Sequence, residues 1–135
     1  MSKLVVIADD IAAVRETLKE TIEELFAGAV TRGSLRVETC KNGTDVVSLC
    51  ATTVPDLIIL DVDMPDVDGI ETFYKLKESA PAAAAKVVFL TGLAGAGSVG
   101  IRVEEALSDG AGGCLPKPIT AVDLKNLVGN RLFAA

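Results

Sequence analysis

The chain has 135 residues, 50% hydrophobic and 24% charged, which makes one ordinary globular domain rather than two. Nineteen acidic against thirteen basic residues leave a net charge of -6 with no basic cluster, which speaks against nucleic-acid binding. Histidine is absent, which excludes a Ser-His-Asp triad, a His-based zinc site and any phosphohistidine of the chain's own.

Lys3 to Ala8 (KLVVIA) predicts a buried strand that stops at Asp9-Asp10. That run is too short for a signal-peptide core, and no run approaches the ~20 residues of a membrane span, so a cytoplasmic protein with no membrane contact is expected. From Ile11, the residues Val14, Leu18, Ile22 and Leu25 recur at three- and four-residue spacing, predicting an amphipathic helix that ends near Gly28. Ala29 to Ser34 reads as a connector. Leu35 to Cys40 alternates apolar and polar side chains and predicts an edge strand, Asn42-Gly43 a turn, and Thr44 to Ala51 a short helix. Pro55 leads into Asp56 to Leu60, a central strand buried on both faces, with Asp61 at its carboxyl end.

Asp66 and Asp68 are expected to shape the next loop and to start a helix over Ile70 to Ser79. Pro81 and the alanines that follow read as a loop or frayed helix end. Lys86 to Leu90 predicts another buried strand, stopped by Thr91-Gly92. Leu93 to Gly100 holds three glycines and reads as a mobile loop before a helix over Ile101 to Leu107. Gly112 to Leu115 predicts a short strand before Pro116-Lys117-Pro118. Thr120 and Asp123 form a helix cap, and Leu124, Leu127, Val128 and Leu132 give the last helix its apolar face. Five strand-helix repeats imply an α/β fold, a doubly wound five-stranded parallel sheet in the order 2-1-3-4-5. Cys40, Cys50 and Cys114 form no CxxC pair and read as small core residues.

In such a sheet the strands' carboxyl ends share one edge, where ligands bind. Asp9, Asp10, Asp61, Thr91 and Lys117 all fall there. Polar residues end strands in any wet loop, but this set at one edge points to a site. Crowded carboxylates raise one another's pKa, and a hard divalent cation such as Mg²⁺ relieves that repulsion with oxygen ligands. A carboxylate can act as a nucleophile toward phosphorus. Lys117 and the Thr91 hydroxyl could then hold phosphoryl oxygens.

On Asp9-Asp10, the LIILDVDMPDVDG segment over 57–69, Thr91-Gly92 and Lys117-Pro118, the sequence resembles a two-component response-regulator receiver domain of the stand-alone, chemotaxis-regulator kind. The resemblance implies a flavodoxin-like receiver fold over 1–135 with no output domain. It implies that Asp61 takes a phosphoryl group from a histidine kinase or phosphotransfer protein and thereby changes affinity for a downstream protein target not named by the sequence. Self-phosphorylation and self-dephosphorylation would be its only catalysis. Asp10 and Asp61 would bind Mg²⁺ directly, Asp9 largely through water, and Asp63 by its backbone carbonyl. Asp63's side chain is expected to influence phosphoryl lifetime. Thr91 would be the switch hydroxyl, Lys117 the phosphate-sensing cation, and Lys117-Pro118 a cis bond. The kinase-facing rim would include Ile11 and Ile119. Output would use the fourth helix, fifth strand and fifth helix, where Val99, Ile101, Val122 and Leu127 read as core residues. Receivers usually carry an aromatic switch residue three positions before the lysine; here Cys114 stands there. Signalling is therefore expected to rely on Thr91 and the glycine-rich loop after it. Two other readings stay open. One is a phosphorylation-independent interaction module on the same fold. The other is a haloacid-dehalogenase-type phosphatase using Asp61-Val62-Asp63. An EF-hand is excluded because Gly69 at the loop's sixth position would make Met64 the first ligand.

Overall fold

Three apolar runs form β1 (Lys3–Ala8), β3 (Leu57–Asp61) and β4 (Val87–Thr91), the alternating L-R-V-E-T-C segment forms β2 (Leu35–Cys40), and the short G-C-L-P segment forms β5 (Gly113–Pro116). The computed structural model describes residues 2–64, 67–92 and 97–133. All strand pairs are parallel and the order is β2-β1-β3-β4-β5, as the sequence predicts. The helices are α1 (Ala12–Leu25), α2 (Ala27–Thr31), α3 (Gly43–Cys50), α4 (Gly69–Ser79), α5 (Pro81–Ala84), α6 (Gly97–Ser108) and α7 (Ala121–Val128), followed by a π turn over Gly129–Phe133. Among the described residues no helix is long and apolar enough to cross a membrane.

Successive strand residues face opposite sides of the sheet, and both sides are covered. Leu4, Val6, Ile58 and Leu60 meet α3 to α6. Val5, Ile7, Leu57 and Ile59 meet α1, α2 and α7. Each fully buried Ile or Leu of β3 contributes about 1.5–3 kcal/mol of apolar burial, so the strand that ends in Asp61 is firmly held. Asp56 anchors its entry, because its carboxylate accepts the Leu4 N–H at 2.8 Å while its own N–H donates to the Leu4 carbonyl at 2.9 Å.

Several sequence expectations are corrected. The connector after α1 contains α2, closed by a Schellman motif: Gly33 has φ 75°, its N–H donates to Val30, and the Ser34 N–H donates to Ala29. Pro81 starts a short helix, as proline does well in a first turn. Helix α6 begins at Gly97, so half of the eight-residue segment read as a loop is helical; 93–96 lie outside the described residues. Ile101 and Val122 are 60% and 66% exposed and are not core, whereas Leu127 packs against the core. The Val99 side chain and Asp66 lie outside the described residues.

Candidate functional site

The parallel register builds the site. Ala8 pairs with Leu60, so Asp9 follows directly beside Asp61 at the end of β3. Asp61 pairs with Leu90, and Thr91 pairs with Pro116. The Lys117 N–H then donates to the Thr91 carbonyl at 3.0 Å, which carries the ladder one step past β5 and aims the lysine at the sheet edge. The Lys117-Pro118 bond is cis, as expected.

Asp61 is only 2% exposed. Its Oδ1 accepts two bonds, from Lys117 Nζ at 2.6 Å and from the Asp63 N–H at 3.0 Å. Asp9 is equally buried, and its Oδ1 accepts the Ile11 N–H at 2.9 Å. Asp10 is exposed. One carboxylate oxygen from each of Asp9, Asp10 and Asp61 lies within 4.8 Å of the others. Burial raises the Asp61 pKa, and the Asp9 charge adds to the rise; the Lys117 and Asp63 hydrogen bonds oppose it. For Lys117 burial pulls the pKa down. The hydrogen bond to Asp61 and the charges of Asp61, Asp9 and Asp63 outweigh that, so its pKa is raised and the ammonium is held. Three oxygen-donor carboxylates converging beside a lysine suit a hard divalent cation and a phosphoryl group, both of which need counter-charge.

Asp9, Asp10, Asp61 and Lys117 therefore meet, and the other two expected site residues are placed as follows. Asp63 approaches Asp61 through its backbone N–H, while its side chain is exposed and outside the trio of carboxylates. Thr91 is 1% exposed, so its side chain sits within the fold rather than on its rim. Cys114 is half-buried against the α3–α6 side of the core, and burial raises its pKa.

Two contacts escape the sequence reading. Arg15 Nη1 donates to the Asp9 carbonyl at 2.8 Å. Asp68 caps α4 by accepting the Glu71 N–H at 2.8 Å and also pairs with Arg102 of α6 at 3.0 Å. The Asp-Gly pair at 68–69 signals the cap, but neither arginine has a local sequence cue. Beside the acids lies a cavity of about 570 Å³, lined by Asp9 and Lys117 and by Ile11, Val14, Leu18 and Ile119. Ile11 is 55% exposed at its rim.

The family model of the response regulator receiver domain matches residues 5–129. The chain is 33% identical over 124 residues to the response regulator PleD of Caulobacter vibrioides, which covers 92% of this chain and 25% of PleD. It thus spans about a quarter of that relative's length. It is 29% identical over 136 residues to the chemotaxis protein CheY of Halobacterium salinarum, covering 99% of this chain and 100% of that one. The solved structure of the Vibrio cholerae chemotaxis protein CheY4 matches with a TM-score of 0.77 at 22% identity, covering 98% and 100% of the two chains. The receiver domain of the sensor histidine kinase PA1611 of Pseudomonas aeruginosa, solved with a magnesium ion coordinated in its active-site cleft, matches with a TM-score of 0.77 at 17% identity, covering 99% and 100%.

Proposed function

This chain belongs to the receiver-domain family of two-component response regulators, and on that premise we propose that Asp61 is the phosphoacceptor of a signalling switch. A carboxylate oxygen of Asp61 attacks the phosphorus of a phosphohistidine, and the P–N bond breaks as the O–P bond forms. The leaving imidazole nitrogen keeps the electron pair and takes a proton from solvent. Since this chain has no histidine, the donor is a partner: a histidine kinase or phosphotransfer protein. We place the exchange in the cytoplasm.

The observation that carries this reading is the Asp61–Lys117 contact, 2.6 Å long and placed among converging carboxylates. Lys117 neutralises the nucleophile at rest. As negative charge moves onto the phosphoryl oxygens, the ammonium follows it, and the Thr91 hydroxyl holds another oxygen. The acid trio fits Mg²⁺. Asp10 and Asp61 would hold it directly, Asp9 largely through water, and Asp63 by its carbonyl. When bound, the ion supplies positive charge against the acids and the incoming phosphoryl group. The exposed Ile11 and the half-buried Ile119, on the cavity beside Lys117, suit the docking of the donor's helix.

One observation favours a phosphorylation-independent module: Cys114 replaces the aromatic switch. Nothing favours a phosphatase, since the Asp63 side chain lies outside the acid cluster. Intact mass after incubation with an acyl phosphate and Mg²⁺ separates these readings. One stoichiometric adduct is expected, absent in Asp61→Asn. No adduct supports the passive module, one that survives the exchange moves the acceptor elsewhere, and multiple turnover of donor points to a phosphatase.

A further inference from the structure

Asp10 lies exposed between two buried neighbours of the acid trio, so its direction depends on the peptide that carries it. Three hydrogen bonds hold the strand-to-helix step around that peptide. The Asp9 N–H donates to the Cys40 carbonyl at 3.2 Å, the Asp9 Oδ1 accepts from Ile11, and the Asp9 carbonyl accepts from Arg15. Of the three, only the carbonyl contact is made by the Asp9–Asp10 peptide itself, so it is the one that restrains the plane from which the Asp10 side chain departs.

Arg15 stands where helix electrostatics disfavour it. It is the fourth residue of α1, near the positive end of the helix dipole, where acids rather than cations are stabilising. The first turn of α1 holds no acid, and Ile11 at its N-cap offers no side-chain acceptor. The carboxylate that serves this end is Asp9 itself. A half-buried guanidinium bonded to a backbone carbonyl here gains little for the helix. What it does hold is the strand-to-helix step that carries both acids.

We propose that Arg15 is a positioning residue for the Asp9–Asp10 pair, presetting Asp10 for a divalent cation. This rests on the reading of the acid trio as a Mg²⁺ site. Charge and position predict opposite results, which makes the role testable. If Arg15 acted only through its charge, removing it would relieve repulsion and tighten cation binding. If it positions Asp10, removing it weakens binding, as loss of a group that orients metal ligands typically does by about 10-fold or more.

The test is calorimetric titration of Mg²⁺ into the phosphate-free protein, compared with Arg15→Gln and Arg15→Lys, with thermal melts to confirm folding. Native binding with a loss of about 10-fold in Arg15→Gln, and a smaller loss in Arg15→Lys, is expected. Native binding with unchanged or tighter affinity in Arg15→Gln overturns the positioning role but leaves the site intact. Absence of Mg²⁺ binding to the native protein overturns the metal reading and the inference with it. Should Arg15→Gln not fold, Arg15→Lys decides: it keeps the charge, so an unchanged affinity overturns the proposal and a loss supports it.

Discussion

Exchanging Asp9 for Asn is expected to stabilise the protein in the absence of divalent ions and to flatten its response to pH. The two side chains have nearly the same shape, and the amide Oδ1 still accepts the 2.9 Å bond from the Ile11 N–H. What disappears is one buried charge whose oxygen lies within 4.8 Å of another on buried Asp61. At that distance two unit charges repel by about 3.5 kcal/mol at an effective dielectric of ~20, and by about 1 kcal/mol in bulk water. Attraction to Lys117 is lost as well and offsets part of the gain, because Asp9 is among the acids that hold that ammonium. A net gain of about 1–2 kcal/mol follows, worth about 3–8 °C in Tm for a domain of this size.

The pH response has a definite sign. Burial first, and the Asp9 charge after it, raise the Asp61 carboxyl above its ordinary 3.8. A carboxyl whose pKa is higher folded than unfolded binds its proton more tightly in the folded state. Its stabilising contribution is complete below the unfolded value and is lost as pH rises through the folded one. The native protein in chelator should therefore lose stability as pH rises from about 4 through that window. Asp9→Asn removes one cause of the rise and should give a shallower slope. Circular-dichroism melts at several pH values measure both effects. A variant that melts below the native protein, or keeps its slope, would refute the idea that these buried carboxylates repel across the site.

Two further outcomes test how the site is held. Gly69→Ala places a Cβ on the Asp61 carbonyl oxygen, 2.9 Å from Val62 Cα and 3.0 Å from the Asp61 carbonyl carbon, so β3 or α4 must shift. A loss of about 1–3 kcal/mol in denaturant unfolding and slower phosphorylation by an acyl phosphate are expected; a native rate would show that this contact does not set Asp61's position. Asp68→Ala removes both a helix cap and the Arg102 pair and should cost about 1–3 kcal/mol, whereas Asp68→Asn keeps the cap and should cost under about 1 kcal/mol; equal losses in urea titrations would contradict that division.

What the sequence makes legible is whatever depends on pattern along the chain. The apolar runs of β1, β3 and β4 dictate buried parallel strands, and a parallel sheet brings their ends together without any knowledge of side-chain geometry. Asp9, Asp61, Thr91 and Lys117 were readable for that reason. Short elements were not: α2 has five residues with a glycine inside, and α6 opens on a glycine-rich stretch of poor helix propensity, so tertiary packing rather than local preference decides both. Side-chain contacts between distant residues were least readable of all. Arg15 and Arg102 look like ordinary surface cations in the sequence, and only the fold shows one on the Asp9 carbonyl and the other on the Asp68 cap.

The Arg102 contact is part of a wider link between α4 and α6. Helix α6 is tied to α4 at two places: Arg102 pairs with Asp68, and near the other end Asp109 accepts from the Tyr74 hydroxyl while its carbonyl accepts from Lys77, both at 2.6 Å. Asp68 is one residue from Gly69, whose N–H donates to the Val62 carbonyl immediately after Asp61. A polar path of named contacts thus runs from Asp61 through the α4 cap to α6 without using position 114. These contacts link the end of β3 to α6 by capping and charge, on the same side of the sheet as the half-buried Cys114.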